Sequence, residues 1–129
     1  YEAFEMIPYN ENELVGTPSS PFVLNKNIKR GDRGYIPDIF VLDQNFPNPF
    51  NPVTHIGFGL PETSEVQVLV YDLNGRLVRT LVNTTMEAGY KRVLWDGKNN
   101  DRQVVSAGVY ISVMRAGNFT DSRKMVMLK

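Results

Sequence analysis

Few residues of this chain are of the types that do chemistry, and their spacing limits what they could do. Its one histidine, His55, lies in Thr54-His-Ile-Gly-Phe-Gly-Leu60, where it alternates with apolar positions and should point to solvent or to a sheet edge. A general base needs an orienting partner and a nucleophile within reach, and no local constellation supplies either to His55. Glycoside chemistry needs two carboxyl groups facing one another across a cleft, whereas Asp96 and Asp101 share one loop. That loop offers something else. Asp96, Asn99, Asn100 and Asp101 are oxygen donors that could wrap a calcium ion, although they fall short of a full EF-hand ligand set. The competing reading is an Asx-rich turn that caps its own backbone. Cysteine is absent, so disulfides, thiolate chemistry and cysteine-ligated zinc are excluded. The expectation is a protein that is not an enzyme and carries no cofactor.

Two weaker chemistries remain. Tyr71, Tyr90, Trp95 and Tyr110 could form a carbohydrate platform, yet most fall at strand positions that should be buried, and core packing is the commoner fate of such aromatics. The tripeptide Arg30-Gly31-Asp32 matches an adhesion motif but reads as a charged turn. The 129 residues suffice for one domain of ordinary size. A formal net charge of zero with both signs scattered argues against a nucleic-acid partner, which would need a basic stripe. No apolar run approaches membrane-spanning length. The chain opens on Tyr1 without an initiator methionine or signal peptide, and reads as a mature or truncated piece.

The elements that would position these residues are strands. Asn45-Phe-Pro-Asn-Pro-Phe-Asn-Pro52 divides the chain. Pro47, Pro49 and Pro52 fix φ and remove donors, so neither a helix nor a central strand can run through them, and a stiff, extended segment is expected. After it Thr54, Ile56, Phe58 and Leu60 alternate with His55, Gly57 and Gly59, a strand period, and the two glycines suggest a bulge or a close neighbour. Val66, Val68 and Val70 form one face of the next strand, with Leu69 and Tyr71 on the other. Asn74-Gly75 predicts a two-residue hairpin turn with positive φ at both residues, leading into Arg76–Val82. Residues 83–89 read as a connection, with positive φ at Gly89. Tyr90–Asp96 is a strand whose Val93 and Trp95 share a face, and Trp95 is expected in the core with its indole N–H satisfied. Gly108–Ala116 is a strand with Val109, Ile111 and Val113 on one face and Tyr110 and Met114 on the other. Gly117-Asn118 turns the chain into a last strand from Phe119. About seven short strands from Phe40 onward predict an all-β, two-sheet sandwich.

The ordered set Asn45–Pro52, Phe58-Gly-Leu-Pro61, Val70-Tyr-Asp-Leu-Asn-Gly-Arg-Leu-Val78, Ala88-Gly-Tyr90, Leu94-Trp-Asp-Gly97, Ser106-Ala-Gly-Val-Tyr110, Arg115-Ala-Gly117 and Lys124-Met-Val-Met-Leu-Lys129 resembles the type A C-terminal sorting domains of the type IX secretion system. The resemblance spans roughly residues 41–129. It implies an immunoglobulin-like sandwich of seven strands without catalytic activity, on an exported protein. Its implied partners are the outer-membrane translocation machinery and a cell-surface peptidase. Neighbouring copies or an upstream cargo domain are the other partners left open. By the same resemblance the sorting signal falls on Gly108, Val109, Tyr110, Gly117, Lys124, Met125, Val126 and Lys129, with Lys129 as a true chain end. Asn74, Gly75, Trp95, Asp96, Gly97, Pro47, Pro49 and Pro52 take structural positions. One departure stands out. Family members usually carry a glycine in the loop after Trp-Asp-Gly, where this chain has Asp101-Arg102-Gln103, so that turn must be built differently.

Residues 1–38 fall outside the resemblance and read as an arm, a linker or the tail of an upstream domain, set against the β-module of 39–129. They hold too much apolar surface for a solvated linker and too little for a second core. Docking on a sheet edge is expected, with Phe22-Val-Leu24 as the pairing segment, in cis or in trans. Three readings of function follow: a sorting and anchoring module, a structural or adhesive module assembled by strand addition, and a carbohydrate-binding sandwich.

Overall fold

Period-two alternation of apolar residues builds two antiparallel sheets in the computed structural model, which describes residues 36–129. The strands are β1 (Val41–Leu42), β2 (Thr54–Leu60), β3 (Ser64–Asp72), β4 (Leu77–Met86), β5 (Gly89–Trp95), β6 (Gly108–Ala116) and β7 (Phe119–Met127). One sheet has the order β1-β2-β5 and the other β4-β3-β6-β7. The expected immunoglobulin-like all-β sandwich is therefore the fold. The segment Phe22–Leu24 and the tripeptide Arg30–Asp32 lie outside the described residues.

The inner faces carry the core. Ile56, Phe58, Leu60, Val93 and Trp95 from the smaller sheet meet Val66, Val68, Val70, Leu81, Val82, Tyr110, Met114, Met125 and Met127 from the larger one. On β6 the core face is the one bearing Tyr110 and Met114, and Val109, Ile111 and Val113 are half-buried on the outer face. Leu69 is buried on the outer face of β3.

Three local expectations need correction. The segment at 83–86 is strand rather than connection: Thr84, Thr85 and Met86 pair with Val66, Glu65 and Ser64, so β4 runs to Met86 and only Glu87 and Ala88 link it to β5. Pairing with a central strand outweighs the low apolar content of that stretch. The first hairpin is not a two-residue turn. The Gly75 N–H donates to the Asp72 carbonyl (3.0 Å), the Asp72 N–H donates to the Arg76 carbonyl (3.0 Å), and only Gly75 has positive φ, at 84°. This is the three-residue loop with a glycine bulge, Leu73-Asn74-Gly75, which β4 tolerates because it is itself bulged. The proline segment is not one extended run either. It bends at residues 47–49 and 51–52, and Phe46 near its start pairs with His55 of β2. Other expectations hold: Gly89 has φ 137°, Gly117 opens the last turn with φ 57°, and a close neighbour lies over Gly59.

Trp95 is fully buried, and its indole N–H donates to the Lys98 carbonyl (3.0 Å). Removing so large a buried aromatic leaves a cavity between the sheets. We expect Trp95→Ala to lower the free energy of unfolding by about 3–5 kcal/mol in a denaturant titration. The wild-type indole should emit at the short wavelength of an apolar site, and emission typical of water-exposed tryptophan in the folded protein would contradict the packing.

Candidate functional site

Most of the residues singled out by resemblance converge on one end of the sandwich, around the C-terminal strand. Phe50, from the proline segment, packs against Trp95 of β5 with ring centroids 5.5 Å apart, and Trp95 meets the edge of Tyr110 of β6 at 5.4 Å. The Tyr110 hydroxyl donates to the Ser106 carbonyl, four residues upstream (2.6 Å), which ties the start of β6 to the loop before it. Gly97 closes the group. A Cβ there would lie 2.9 Å from the Pro52 carbonyl oxygen and 3.3 Å from the sulfur of Met127, and φ is 77°. Glycine is required on both counts.

The proline segment also clasps the outer edge of β7. The Phe50 N–H donates to the Val126 carbonyl (2.9 Å), and the Leu128 N–H donates to the Phe50 carbonyl (2.8 Å). The Val126 N–H donates to Oδ1 of Asn48 (2.9 Å), and Nε2 of Gln44 donates to the Lys124 carbonyl (2.7 Å). Nε of Arg123 reaches the Leu42 carbonyl (3.1 Å). The clasp holds its shape through Asn45, which is buried. Its Nδ2 donates to the Pro47 carbonyl (3.1 Å) and to Oγ1 of Thr54 (2.9 Å), and that hydroxyl donates to the Pro47 carbonyl in turn (2.8 Å). Asparagine and proline therefore do different jobs here. Proline shapes the loop, and asparagine supplies the donors and acceptors that proline lacks.

β7 divides the resembled signal in two. Met125 and Met127 are buried between the sheets, as Tyr110 is on β6. Lys124 and Lys129 are exposed, and Val126 and Val109 are half-buried. Val109 pairs with Val126, and Ile111 pairs with Lys124, so these four share the outer face of the larger sheet. Gly108 has φ 151° with open space around it, and Gly117 sits at the far hairpin. Of the set, only the outer-face side chains can be read by a partner without unfolding the strand.

The loop after Trp95 spends its oxygens internally. Oδ1 of Asp96 accepts from Nη1 of Arg79 (3.2 Å) and from the Lys98 N–H (3.1 Å). Oδ1 of Asn99 accepts from the N–H groups of Asp101 (2.9 Å) and Gln103 (3.0 Å). Oδ1 of Asn100 accepts from the Thr80 N–H (2.9 Å), and the Asn100 N–H donates to the Val78 carbonyl (2.9 Å). Asp96, Asn99 and Asn100 thus point at four different backbone N–H groups rather than at one common centre. Arg79 is the residue that sequence reasoning missed. It sits opposite Val70 on the core side of β4, is buried, and also donates to the carbonyls of Lys98 (2.9 Å) and Asn99 (3.4 Å). Its only sequence signature is a charge at an inward-facing position, which ordinary patterning sends to solvent.

Elsewhere the candidates disperse. His55 is half-buried beside Phe46, and its Nδ1 has no hydrogen-bond partner among the described residues. Trp95 and Tyr110 lie in the core, Tyr71 on the outer face of the larger sheet and Tyr90 on that of the smaller one, so no shared aromatic platform forms. The sandwich separates them because neighbouring strand positions face opposite sides.

Two expectations follow for the turns. Arg102 has φ 67°, the left-handed conformation that a glycine would take without strain. The chain makes a left-handed turn after Asn99, closed by the Arg102 N–H on the Asn99 carbonyl (3.0 Å). Arg102→Gly should stabilise the fold by about 0.5–1 kcal/mol, seen as a raised denaturation midpoint. At the other turn the Asp72 carboxyl is held below its ordinary pKa, first by the Arg76 backbone N–H and further by the Asn74 N–H and the Arg76 guanidinium. A depressed folded pKa contributes stability that is present above the unfolded value and disappears as pH falls through the folded one. Wild type should therefore lose stability relative to Asp72→Asn on acidification below about pH 4, as measured by thermal melts across pH.

Comparison with known proteins places this geometry. Within the chain, residues 48–118 match the family model of the FlgD Ig-like domain. No curated protein matches the sequence. Among solved structures, dimeric latent PorU from Porphyromonas gingivalis is similar at 20% identity and a TM-score of 0.54, over 74% of this chain and 10% of that one. PorZ, an essential bacterial surface component of the type-IX secretion system of the same organism, is similar at 19% identity and a TM-score of 0.49, over 71% of this chain and 12% of that one. The chain thus spans a small fraction of either protein. The matched residues run from the proline segment through Trp95 and Tyr110 to the last hairpin, and the chain belongs to the FlgD Ig-like domain family.

Proposed function

We propose that this module is a type A C-terminal sorting domain, a non-catalytic address read by the outer-membrane machinery of type IX secretion. In this reading the protein is exported and reaches the cell surface, where a surface peptidase meets it. Residues 1–38 are then the linker or tail that joins the module to an upstream cargo domain. The observation that carries the proposal is the way the resembled motifs fall on the sandwich. The proline segment, the Trp95–Gly97 corner and the start of β6 all serve to hold β7 at the edge of its sheet. Lys124, Val126 and Val109 then stand outward on a rigid strand pair. A sorting address needs such a surface: the partner must read side chains held in fixed register, and strands hold them better than loops. Nothing in this role calls for a catalytic constellation.

A reporter protein with an export signal, fused to residues 36–129 and expressed in a host with type IX secretion, tests this. The fusion should appear outside the cell. Lys124→Glu combined with Val126→Asp should strand most of it in the periplasm while circular dichroism still shows a folded module. A folded, unaltered fusion that remains periplasmic would overturn the sorting role. It would leave the module as a structural or adhesive unit.

A further inference from the structure

One row of the larger sheet is polar on its outer face from edge to edge. Asn83 of β4 pairs with Gln67 of β3, Gln67 pairs with Arg115 of β6, and Arg115 pairs with Thr120 of β7. Neighbouring strands lie about 4.7–4.9 Å apart, so two amides, a guanidinium and a hydroxyl stand in line across the sheet. The side chains of Gln67, Asn83 and Arg115 meet no hydrogen-bond or ion-pair partner among the described residues. All three line a cavity of about 640 Å³, a volume ordinary for a small-ligand site. Glu65, the preceding outward residue of β3, and Glu62, in the turn before it, bring two carboxylates to the same cavity. The Ser64 hydroxyl donates to the Glu62 carbonyl (2.9 Å) and braces that turn. Gly117 follows Ala116, which pairs with Val66, and only open space lies where its side chain would stand. The cavity is therefore open at that corner. Toward the middle of the sheet the next outward pair is apolar, Leu69 with Val113.

We propose that this cavity binds an uncharged oligosaccharide. Its charges decide against other ligand classes. Arg115 alone would attract a phosphate or carboxylate, but Glu62 and Glu65 border the same space and repel an anion, while Arg115 repels a simple cation. A sugar hydroxyl both donates and accepts a hydrogen bond. The amides of Gln67 and Asn83 do the same, the guanidinium only donates and the carboxylates only accept, so hydroxyls of either orientation find a partner. A sugar ring also has a C–H face, and the Leu69–Val113 pair offers it an apolar ledge beside the polar row. Because the row runs across the strands, a chain of sugars laid along it meets a polar side chain at every strand, and the corner at Gly117 lets that chain leave without a clash. None of the described lining residues is aromatic, so affinity rests on hydrogen bonds and is expected to be modest. The site is separate from the surface that the sorting reading uses: Val126 pairs with Val109 at the opposite end of β6, about 20 Å from Arg115.

Titration of the 129-residue chain with cellohexaose, maltohexaose, xylohexaose and mannohexaose at millimolar concentrations, followed by heteronuclear NMR, tests the proposal. With at least one of these sugars the side-chain amide signals of Gln67 and Asn83 and the Nε–H signal of Arg115 should move saturably. Arg115→Ala should weaken that binding by about tenfold or more, and Gln67→Ala by about threefold or more, the loss of a charged and of a neutral hydrogen bond. Trp95 emission should stay unchanged in both variants, showing that the fold is intact. Lys124→Glu combined with Val126→Asp should leave the affinity as it is, which separates this site from the sorting surface. No movement with any of these sugars, or movement confined to other residues, would overturn the proposal. An equal response to inorganic phosphate or to glycine would overturn it too, by assigning the cavity to an anion or a zwitterion.

Discussion

The packing of Trp95 between Phe50 and Tyr110 is the contact on which the rest of this module depends. A ring of that size fills the space between the sheets only if the chain around it makes room. Gly97 must lack a side chain because the Pro52 carbonyl and Met127 close in on it. Lys98 must present its carbonyl to the indole N–H, since a buried donor left unpaired is costly. The proline segment must fold back far enough to put Phe50 in the core, and in doing so it lays Asn48 and Phe50 along β7. The distinctive sequence features, an asparagine-proline run, a Trp-Asp-Gly corner and a Gly-Val-Tyr strand start, are thus three sides of one packing arrangement.

The same arrangement manages the sheet edges. An open sandwich exposes unpaired backbone groups on its outermost strands, and these invite pairing with other chains. Here the larger sheet is covered on one side by the proline clasp and at the start of the other by Asn100, which bonds both Val78 and Thr80. Covering an edge with side-chain amides instead of another strand satisfies the backbone without extending the sheet. The cover on β7 is made at isolated points, by Gln44, Asn48 and Phe50, so the outer-face side chains of that strand stay accessible.

Arg79 shows how a charge is accommodated inside such a fold. Taking a guanidinium out of water costs energy unless its donors are met. Nη1 is met by Asp96 and by two carbonyls of the following loop, while Nη2 is buried without a partner among the described residues. The arrangement makes the loop after Trp95 a fixed part of the sandwich and explains why the Asp96 carboxylate turns inward. Oxygen-rich loops read as metal sites when only their composition is considered. The same oxygens serve equally well as acceptors for backbone N–H groups.

Apolar period and turn chemistry are local properties, and they were legible. The strands Thr54–Leu60, Ser64–Asp72, Gly89–Trp95 and Gly108–Ala116, the burial of Trp95, and positive φ at Gly75, Gly89 and Gly117 follow from alternation and glycine position alone. The resembled motifs were legible too, as an ordered string. Their convergence was not, because Phe50, Gly97 and Met127 lie far apart in sequence and meet only when both sheets close. The extension of β4 through Thr84–Met86 depended on the partner strand, whose backbone groups reward pairing whatever the side chains. Arg79 was hidden because a bulged strand shifts which side chains face inward, and no pattern in one chain segment shows where its partner forces a bulge. The sequence by itself determined which residues could form strands and turns, since those preferences reside in single residues and their neighbours. Tertiary structure alone decided which face of β7 is buried, which edge is clasped and where the charge of Arg79 ends, since those outcomes depend on contacts between segments that do not specify one another locally.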